Sequence, residues 1–125
     1  MAEIKFDTIE MKEVVRGDML DRTYLMQHNL DIAGKKFYAE VREDMDTEIV
    51  LKFEDKDNNS SLVVDIISDT SMTFRFNKKA SEMNVSPAAY QISVIMGTAP
   101  EYEDKQTIIR GTMTVVKEIT KKPTV

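Results

Sequence analysis

Apolar and polar side chains alternate along most of the chain, which is the period-two pattern of half-buried β-strands. The clearest segment spans residues 90–97. Its apolar positions share one face, and they are Tyr90, Ile92, Val94 and Met96. A second segment at 107–116 alternates in the same way, with Ile109, Gly111, Met113 and Val115 on one face. The polar stretch between them, residues 97–105, is too long for a two-residue turn, so the pattern predicts a hairpin with an exposed loop.

The same alternation recurs roughly every ten to fifteen residues, with turn signals between the segments. The positions predicted to face inward are Phe37, Ala39 and Val41, then Ile49, Leu51 and Phe53, then Leu62, Val64 and Ile66, and finally Met72, Phe74 and Phe76. Regularly spaced short strands predict an all-β, immunoglobulin-like β-sandwich of about seven to eight antiparallel strands.

Three interruptions of the pattern predict turns. Gly17-Asp18 lies between apolar segments and predicts a turn or bulge, and residues 28–35 turn the chain with Gly34 at a positive φ. Near residues 78–84 helix-forming residues replace the alternation, which predicts one short helical turn that ends before Ser86-Pro87. The strand that follows begins at Tyr90, a candidate for the corner tyrosine of such sandwiches.

The two ends of the chain are less regular than its middle. Residues 2–6 alternate weakly and predict either a short edge strand or an arm that reaches a neighbour. Residues 117–125 lose the pattern and contain Pro123. We therefore expect a single domain over residues 1–125, with possible arms at 1–7 and 117–125.

Composition narrows the function classes. The 125 residues contain no cysteine, which excludes disulfides and thiolate chemistry, and no apolar run approaches the ~20 residues of a membrane-spanning helix. The start of the chain lacks the features of a secretory signal. The net charge of −5 argues against binding to nucleic acid, and the lysine pairs Lys35-Lys36, Lys78-Lys79 and Lys121-Lys122 are interpreted as solvated rims. Nine Met residues are interpreted as soft core volume.

The sequence shows no catalytic set. His28 is the only histidine and lies in a polar turn near Asp31, so we interpret it as an exposed turn residue rather than a general base. Carboxylate pairs such as Asp44 with Asp46, or Glu101 with Glu103, are interpreted as solvated loops, because no apolar pocket is evident to separate their pKa values. The prediction is therefore a protein that is not an enzyme, with no catalytic residue.

One loop has oxygen ligands at a spacing that calcium uses. Asp55, Asp57 and Asn59 form a D-x-D-x-N pattern, but Ser60 stands where an EF-hand loop has glycine and Ile66 where it has glutamate. A plain loop is the favoured interpretation, and we predict no metal and no cofactor.

Two further motifs are interpreted structurally. Arg16-Gly17-Asp18 matches the tripeptide that integrins recognise, but we interpret it as the turn that precedes a strand. The four glycines are isolated, so no phosphate-binding loop is predicted.

Several motifs resemble, in order, small immunoglobulin-like modules of tailed-bacteriophage virion proteins. They are the Gly17-Asp18 turn, the strand with its approach at residues 30–42, the Tyr-led strand at 90, and the last strand at 111–120. The chain is similar over roughly residues 14–120 to the N-terminal domain of phage baseplate upper proteins. The helical or receptor-binding region of those proteins has no counterpart here, so this chain would be a stand-alone module.

The resemblance implies a structural protein of the virion, assembled in the host cytoplasm, that contacts other virion subunits and forms a homo-oligomer or symmetric assembly. Its position in the particle stays open between capsid decoration, head fibre, neck, tail and baseplate. The alternative is a module that binds carbohydrate or a host surface, with Tyr38 and Tyr102 as its aromatic platform.

Overall fold

The computed structural model describes residues 7–44, 47–56 and 58–118. Within these ranges the chain forms eight strands and one 3₁₀ turn at Ala80–Glu82. The strands are β1 (Asp7–Val15), β2 (Leu20–Gln27), β3 (Lys36–Arg42), β4 (Ile49–Glu54), β5 (Leu62–Ser68), β6 (Ser71–Lys78), β7 (Ala88–Gly97) and β8 (Gln106–Val116). The predicted all-β fold and the single short helical turn are therefore confirmed. Residues 1–6 and 119–125, which contain most of both predicted arms, lie outside the described ranges.

The strands form two sheets. A five-stranded sheet has the order β1-β8-β7-β3-β4, and a three-stranded sheet has the order β2-β6-β5. Neighbouring strands are antiparallel except for β1 and β8, which are parallel. The two sheets face each other across one hydrophobic core, as the two apolar strand faces require.

The apolar residues of the alternating pattern form the inner face of each sheet. Phe37 and Phe53 of the five-stranded sheet pack edge-to-face against Phe74 and Phe76 of the three-stranded sheet, with ring centroids 5.5 and 5.2 Å apart. The predicted inward positions of β3, β6 and β7 are all buried. The core includes six buried methionines, as expected for an interior without tryptophan: Met11, Met26, Met72, Met83, Met96 and Met113.

For two side chains, the face of the strand that was predicted differs from the face observed in the structure. A shift of register between Val94 and Ile95 adds a residue to β8, so Ile108 is buried beside Ile109 instead of facing outward. Ile66, predicted to face the core, is 54% exposed, because β5 is the outermost strand of the narrower sheet and no described strand covers it.

The predicted corner and turn are both present. The hydroxyl of Tyr90 donates to the backbone oxygen of Ser86 at 2.6 Å, which fixes the entry of the chain into β7. Gly17 has φ 79° and its backbone N–H donates to the backbone oxygen of Met83 at 2.8 Å, so the Gly17-Asp18 turn is confirmed. Together with the strand order, the tyrosine corner defines an immunoglobulin-like sandwich.

The parallel edge strand β1 contains an irregularity that one arginine stabilises. The pairing with β8 shifts between Met11 and Val14, and Glu13 adopts φ 53°. Arg22 on β2 donates from its guanidinium to the backbone oxygens of Lys12 at 2.9 Å and Glu13 at 3.3 Å. These bonds compensate backbone acceptors that the bulge removes from the sheet and join β1 to the second sheet.

Candidate protein-interaction site

The strand β5 is the least protected edge of the sandwich. In the described part of the chain it pairs only with β6, so one side of its backbone has no strand partner. Edge strands are usually protected from unwanted pairing by charges. The edge strand β1 carries four charged residues, β2 and β4 carry two each, and β5 carries only Asp65.

Apolar exposure is concentrated on the same strand. Of the five large apolar side chains that are exposed in the described residues, two are the neighbours Ile66 and Ile67 on β5, at 54% and 61%. The other three, Met19, Leu25 and Val50, lie on three separate elements. The pairing of β5 with β6 shifts between Ile66 and Ser68, and Ile67 has no partner in this ladder, so the two exposed side chains lie at the irregular end of the strand. Exposed apolar side chains on an edge strand with a single charge are typical of a surface that contacts another protein.

Next to this edge the sandwich opens into a cleft of about 580 Å³, which we call the β5 cleft. Its walls are the loop between β2 and β3 on one side and β5 on the other. The apolar lining consists of Leu30, Ile32, Ala33, Phe37, Val64 and Ile66. The three-stranded sheet covers only part of the five-stranded sheet. Side chains at this margin, such as Leu30, Ile32 and Val64, are therefore half-buried and line an apolar hollow.

The rim of the β5 cleft is acidic. Asp31, Asp55 and Asp69 line it, and no ion pair to any of the three is found among the described residues. Lys35, the one basic residue of the lining, is bound to Asp104 in the loop between β7 and β8. The cleft therefore combines an apolar floor with a negatively charged border.

The contact between Lys35 and Asp104 holds two loops together, and we call it the loop latch. Asp104 also accepts hydrogen bonds from the backbone N–H and the hydroxyl of Thr98, both at 2.7 Å. The ammonium of Lys35, followed by the Thr98 bonds, holds the pKa of Asp104 well below its usual range. The latch thus fixes the loop that forms one wall of the cleft.

His28 lies in the same loop between β2 and β3, outside the lining of the cleft. Its backbone N–H donates to the oxygen of Thr70 at 2.8 Å, and its Nδ1 accepts from the backbone N–H of Leu30 at 3.1 Å. The Nε2 atom is buried and has no hydrogen-bond partner among the described residues. The prediction of an exposed histidine was therefore wrong: the ring is half-buried and shapes the turn. In the same turn, the backbone N–H of Ala33 donates a hydrogen bond to Asp31 Oδ1 at 3.3 Å.

The candidate calcium loop is organised by serines. Ser60 Oγ donates to the backbone oxygen of Glu54 at 2.9 Å, and Glu54 N–H donates to Ser61 Oγ at 2.8 Å. Asn59 has φ 55°, whereas Asp57 lies outside the described residues. Among the described residues no group of three histidines or carboxylates is placed to hold a metal ion.

Among the described residues, those of the carboxylate pairs and of the Arg16-Gly17-Asp18 turn are not part of the lining of the β5 cleft. Asp46, one member of a carboxylate pair, lies outside the described residues, and Glu101 and Glu103 are exposed in the loop between β7 and β8. Arg16 Nε donates to Asn84 Oδ1 at 2.9 Å, so the Arg16-Gly17-Asp18 turn is tied to the corner before β7.

The two tyrosines of the alternative aromatic platform have raised pKa values. Tyr38 and Tyr102 are both half-buried, and burial raises the pKa of both phenols. After burial, the largest contribution to the raised pKa comes from the carboxylate of Glu40 for Tyr38 and from that of Asp55 for Tyr102.

The alternating pattern of β5 did not predict the cleft, although the apolar composition of this strand indicates an exposed apolar surface. Residues 62–67 include five apolar side chains on both faces of the strand, in a sheet whose other strands alternate with polar residues. A strand that is apolar on both faces is typical of a central position. Here it lies at an edge, so the excess apolar surface is left exposed.

No protein-family model matches the chain, and no match is found among curated proteins. In the described residues no helix is long and apolar enough to span a membrane. Solved structures that resemble the chain include the ZIG-8 IG1 homodimer, at 7% identity and a TM-score of 0.34, covering 94% of this chain and 85% of that one. The ZIG-8–RIG-5 IG1–IG1 heterodimer has 7% identity and a TM-score of 0.31, with 90% and 83% covered.

A third similar structure is the parallel homodimer of the extracellular domain of the voltage-gated sodium channel beta4 subunit. It has 11% identity and a TM-score of 0.31, and the match covers 95% of this chain and 98% of that one. Superpositions this loose say nothing about a partner or a function.

Proposed function

We propose that the chain is a non-enzymatic assembly module that binds other subunits of a bacteriophage virion through protein–protein contacts. The observation that carries this proposal is the unprotected, apolar edge strand β5 beside the β5 cleft. An extended segment of a partner can add to such an edge through main-chain hydrogen bonds and place side chains in the adjoining cleft.

Covering this edge would contribute favourable free energy from two sources. Covering Ile66 and Ile67 would each contribute on the order of 2 kcal/mol, at roughly 25 cal/mol per Å² of apolar surface. Main-chain hydrogen bonds to the free edge add about 1 kcal/mol each. Part of this sum is offset by the ordering of the partner segment.

The assignment to a virion rests on the sequence resemblance. The Gly17-Asp18 turn, the strand β3 and the Tyr-led strand β7 occur in the order found in phage baseplate upper proteins. We accordingly propose that the chain is located in the virion and assembled in the host cytoplasm. Capsid, head fibre, neck, tail and baseplate are all compatible with such a module.

The test is quantitative mass spectrometry of purified phage particles, with copies of this chain counted against the major capsid protein. A count close to that of the capsid protein supports a decoration role, and a small fixed count supports a neck, tail or baseplate role. Absence of the chain from washed particles would contradict the proposal.

A second candidate is a module that binds carbohydrate or a host surface. The observation in its favour is that the ring of Tyr102 lies against Gly97 of β7, which pairs with Lys36, two residues before Tyr38 on β3. A glycan array probed with the whole chain and with Tyr102→Ala tests it. Binding that is lost in the variant would support this candidate, whereas no binding by the whole chain would eliminate it.

A further inference from the structure

We propose that the β5 cleft binds residues 119–125 of a second copy of the chain. This inference rests on the proposed function, because it names the partner of the same edge. Its basis is the match between the lining of the cleft and the chemistry of that segment.

Charge is the first part of the match. The segment Ile119-Thr120-Lys121-Lys122-Pro123-Thr124-Val125 contains two lysines and no acidic side chain, in a chain whose net charge is −5. The rim of the β5 cleft presents Asp31, Asp55 and Asp69. A basic segment is drawn to such a rim, and two ammonium groups facing three carboxylates give both affinity and orientation.

Apolar side chains are the second part. Ile119 lies two residues before the lysine pair and Val125 three residues after it. The floor of the cleft is formed by Leu30, Phe37 and Val64, and its volume of about 580 Å³ is large enough for one or two aliphatic side chains. Pro123 has no backbone N–H, which an added edge strand tolerates on its outer side.

The length of the segment favours a second copy over the same chain. Val115 pairs with Ala88 at one end of β7, whereas Lys36, next to the cleft residues Lys35 and Phe37, pairs with Gly97 at the other end. The nine steps from Ala88 to Gly97 span about 30 Å. The nine residues after Val116 also reach at most about 30 Å when fully extended. Inside one chain the segment would use its whole length to arrive at the cleft, with no residue left to fill it.

The experiment is sedimentation velocity of the full chain over a range of concentrations, with charge-reversal variants on each side of the contact. Lys121→Glu with Lys122→Glu changes the segment, and Asp55→Lys with Asp69→Lys changes the rim. Each pair should weaken self-association at least about tenfold. All four substitutions together should restore the dissociation constant to within about threefold of the original, because the charges are exchanged.

A matched control separates a specific contact from an effect of net charge. Lys12→Glu with Lys79→Glu removes two exposed lysines outside the lining of the cleft and changes the net charge by the same amount. Self-association should stay within about twofold of the unmodified chain. Circular dichroism of every variant confirms that the fold is retained.

Two results would overturn the inference. One is a full chain that remains monomeric at all concentrations, and the other is self-association that the charge reversals do not weaken or the exchange does not restore. Either result leaves the proposed function to be decided by the composition of the particle. A chain that is present in particles without this self-association would mean that a different subunit covers β5.

Discussion

Gly111→Ala tests the parallel pairing on which one side of the sandwich depends. Gly111 lies in β8 directly opposite Ile9 of β1. A Cβ atom added there would be 1.9 Å from the backbone oxygen of Ile9 and 2.8 Å from its carbonyl carbon. Because both neighbours are backbone atoms, a side-chain rotation cannot relieve the overlap.

The expected cost follows from this geometry. An ordinary carbon–oxygen contact is about 3.2 Å or longer, so β1 would have to move by more than about 1 Å away from β8. This shift breaks about two ladder hydrogen bonds, worth about 1 kcal/mol each, and loosens the buried side chains of Ile9 and Met11. With the strain of an overfilled site, we expect a loss of about 3–5 kcal/mol in the free energy of unfolding.

Urea denaturation monitored by circular dichroism measures this loss. The control is Gly34→Ala, because Gly34 has no atom within 4 Å of an added Cβ and only its φ of 72° opposes the change. That control should lose about 1–2 kcal/mol. If Gly111→Ala costs no more than Gly34→Ala, β1 does not lie against β8 as described.

Three further predictions concern single polar contacts. Tyr90→Phe removes the bond to Ser86 and should lower the free energy of unfolding by about 1 kcal/mol in urea denaturation, and an unchanged value would contradict the corner. Arg22→Met keeps the aliphatic stem but removes both bonds to the β1 bulge, so we expect a loss of about 1–2 kcal/mol and faster amide exchange at Glu13. Because the pKa of Asp104 is lowered in the fold, its latch stabilises the protein above about pH 4 and is lost as the pH falls below that value. Asp104→Asn should therefore reduce the pH dependence of the melting temperature in this acid range, and an identical pH profile would refute the latch.

Alternation along the chain was a reliable guide in three central strands, β3, β6 and β7. In β7, which lies between β8 and β3, each predicted inward residue from Tyr90 to Met96 is buried. A central strand has one face toward the core and fixed neighbours on both sides, so the two-residue period of its side chains directly reports burial. The predicted turn at Gly17-Asp18 was equally accurate, because a local conformation with positive φ is encoded locally.

Features that depend on distant residues were not predictable in this way. The inward position of Ile108 follows from a bulge whose register is set by β7, and the need for glycine at 111 follows from the approach of Ile9. The exposure of Ile66 depends on how far one sheet extends over the other. These are properties of the packed sandwich, and no pattern within one strand contains them.

The candidate site shows the same limit. Leu30 and Val64 were seen as parts of a turn and a strand that are more than thirty residues apart in sequence, and only the fold brings them to one cleft. Asp31 was interpreted as a residue of the turn near His28, and the structure also places it on the rim of that cleft. The charge of the rim arises from three loops, so it is visible only after the chain has folded.

The incorporation of two variants into phage particles tests most directly the proposed role of β5 in assembly. Ile67→Lys puts a charge on the exposed edge, and Met19→Lys puts the same charge on the equally accessible turn before β2, at 69% exposure. Copies per purified particle are counted by quantitative mass spectrometry for each variant. The account predicts that Ile67→Lys is depleted at least about tenfold while Met19→Lys is incorporated normally. Equal incorporation of both variants would contradict it.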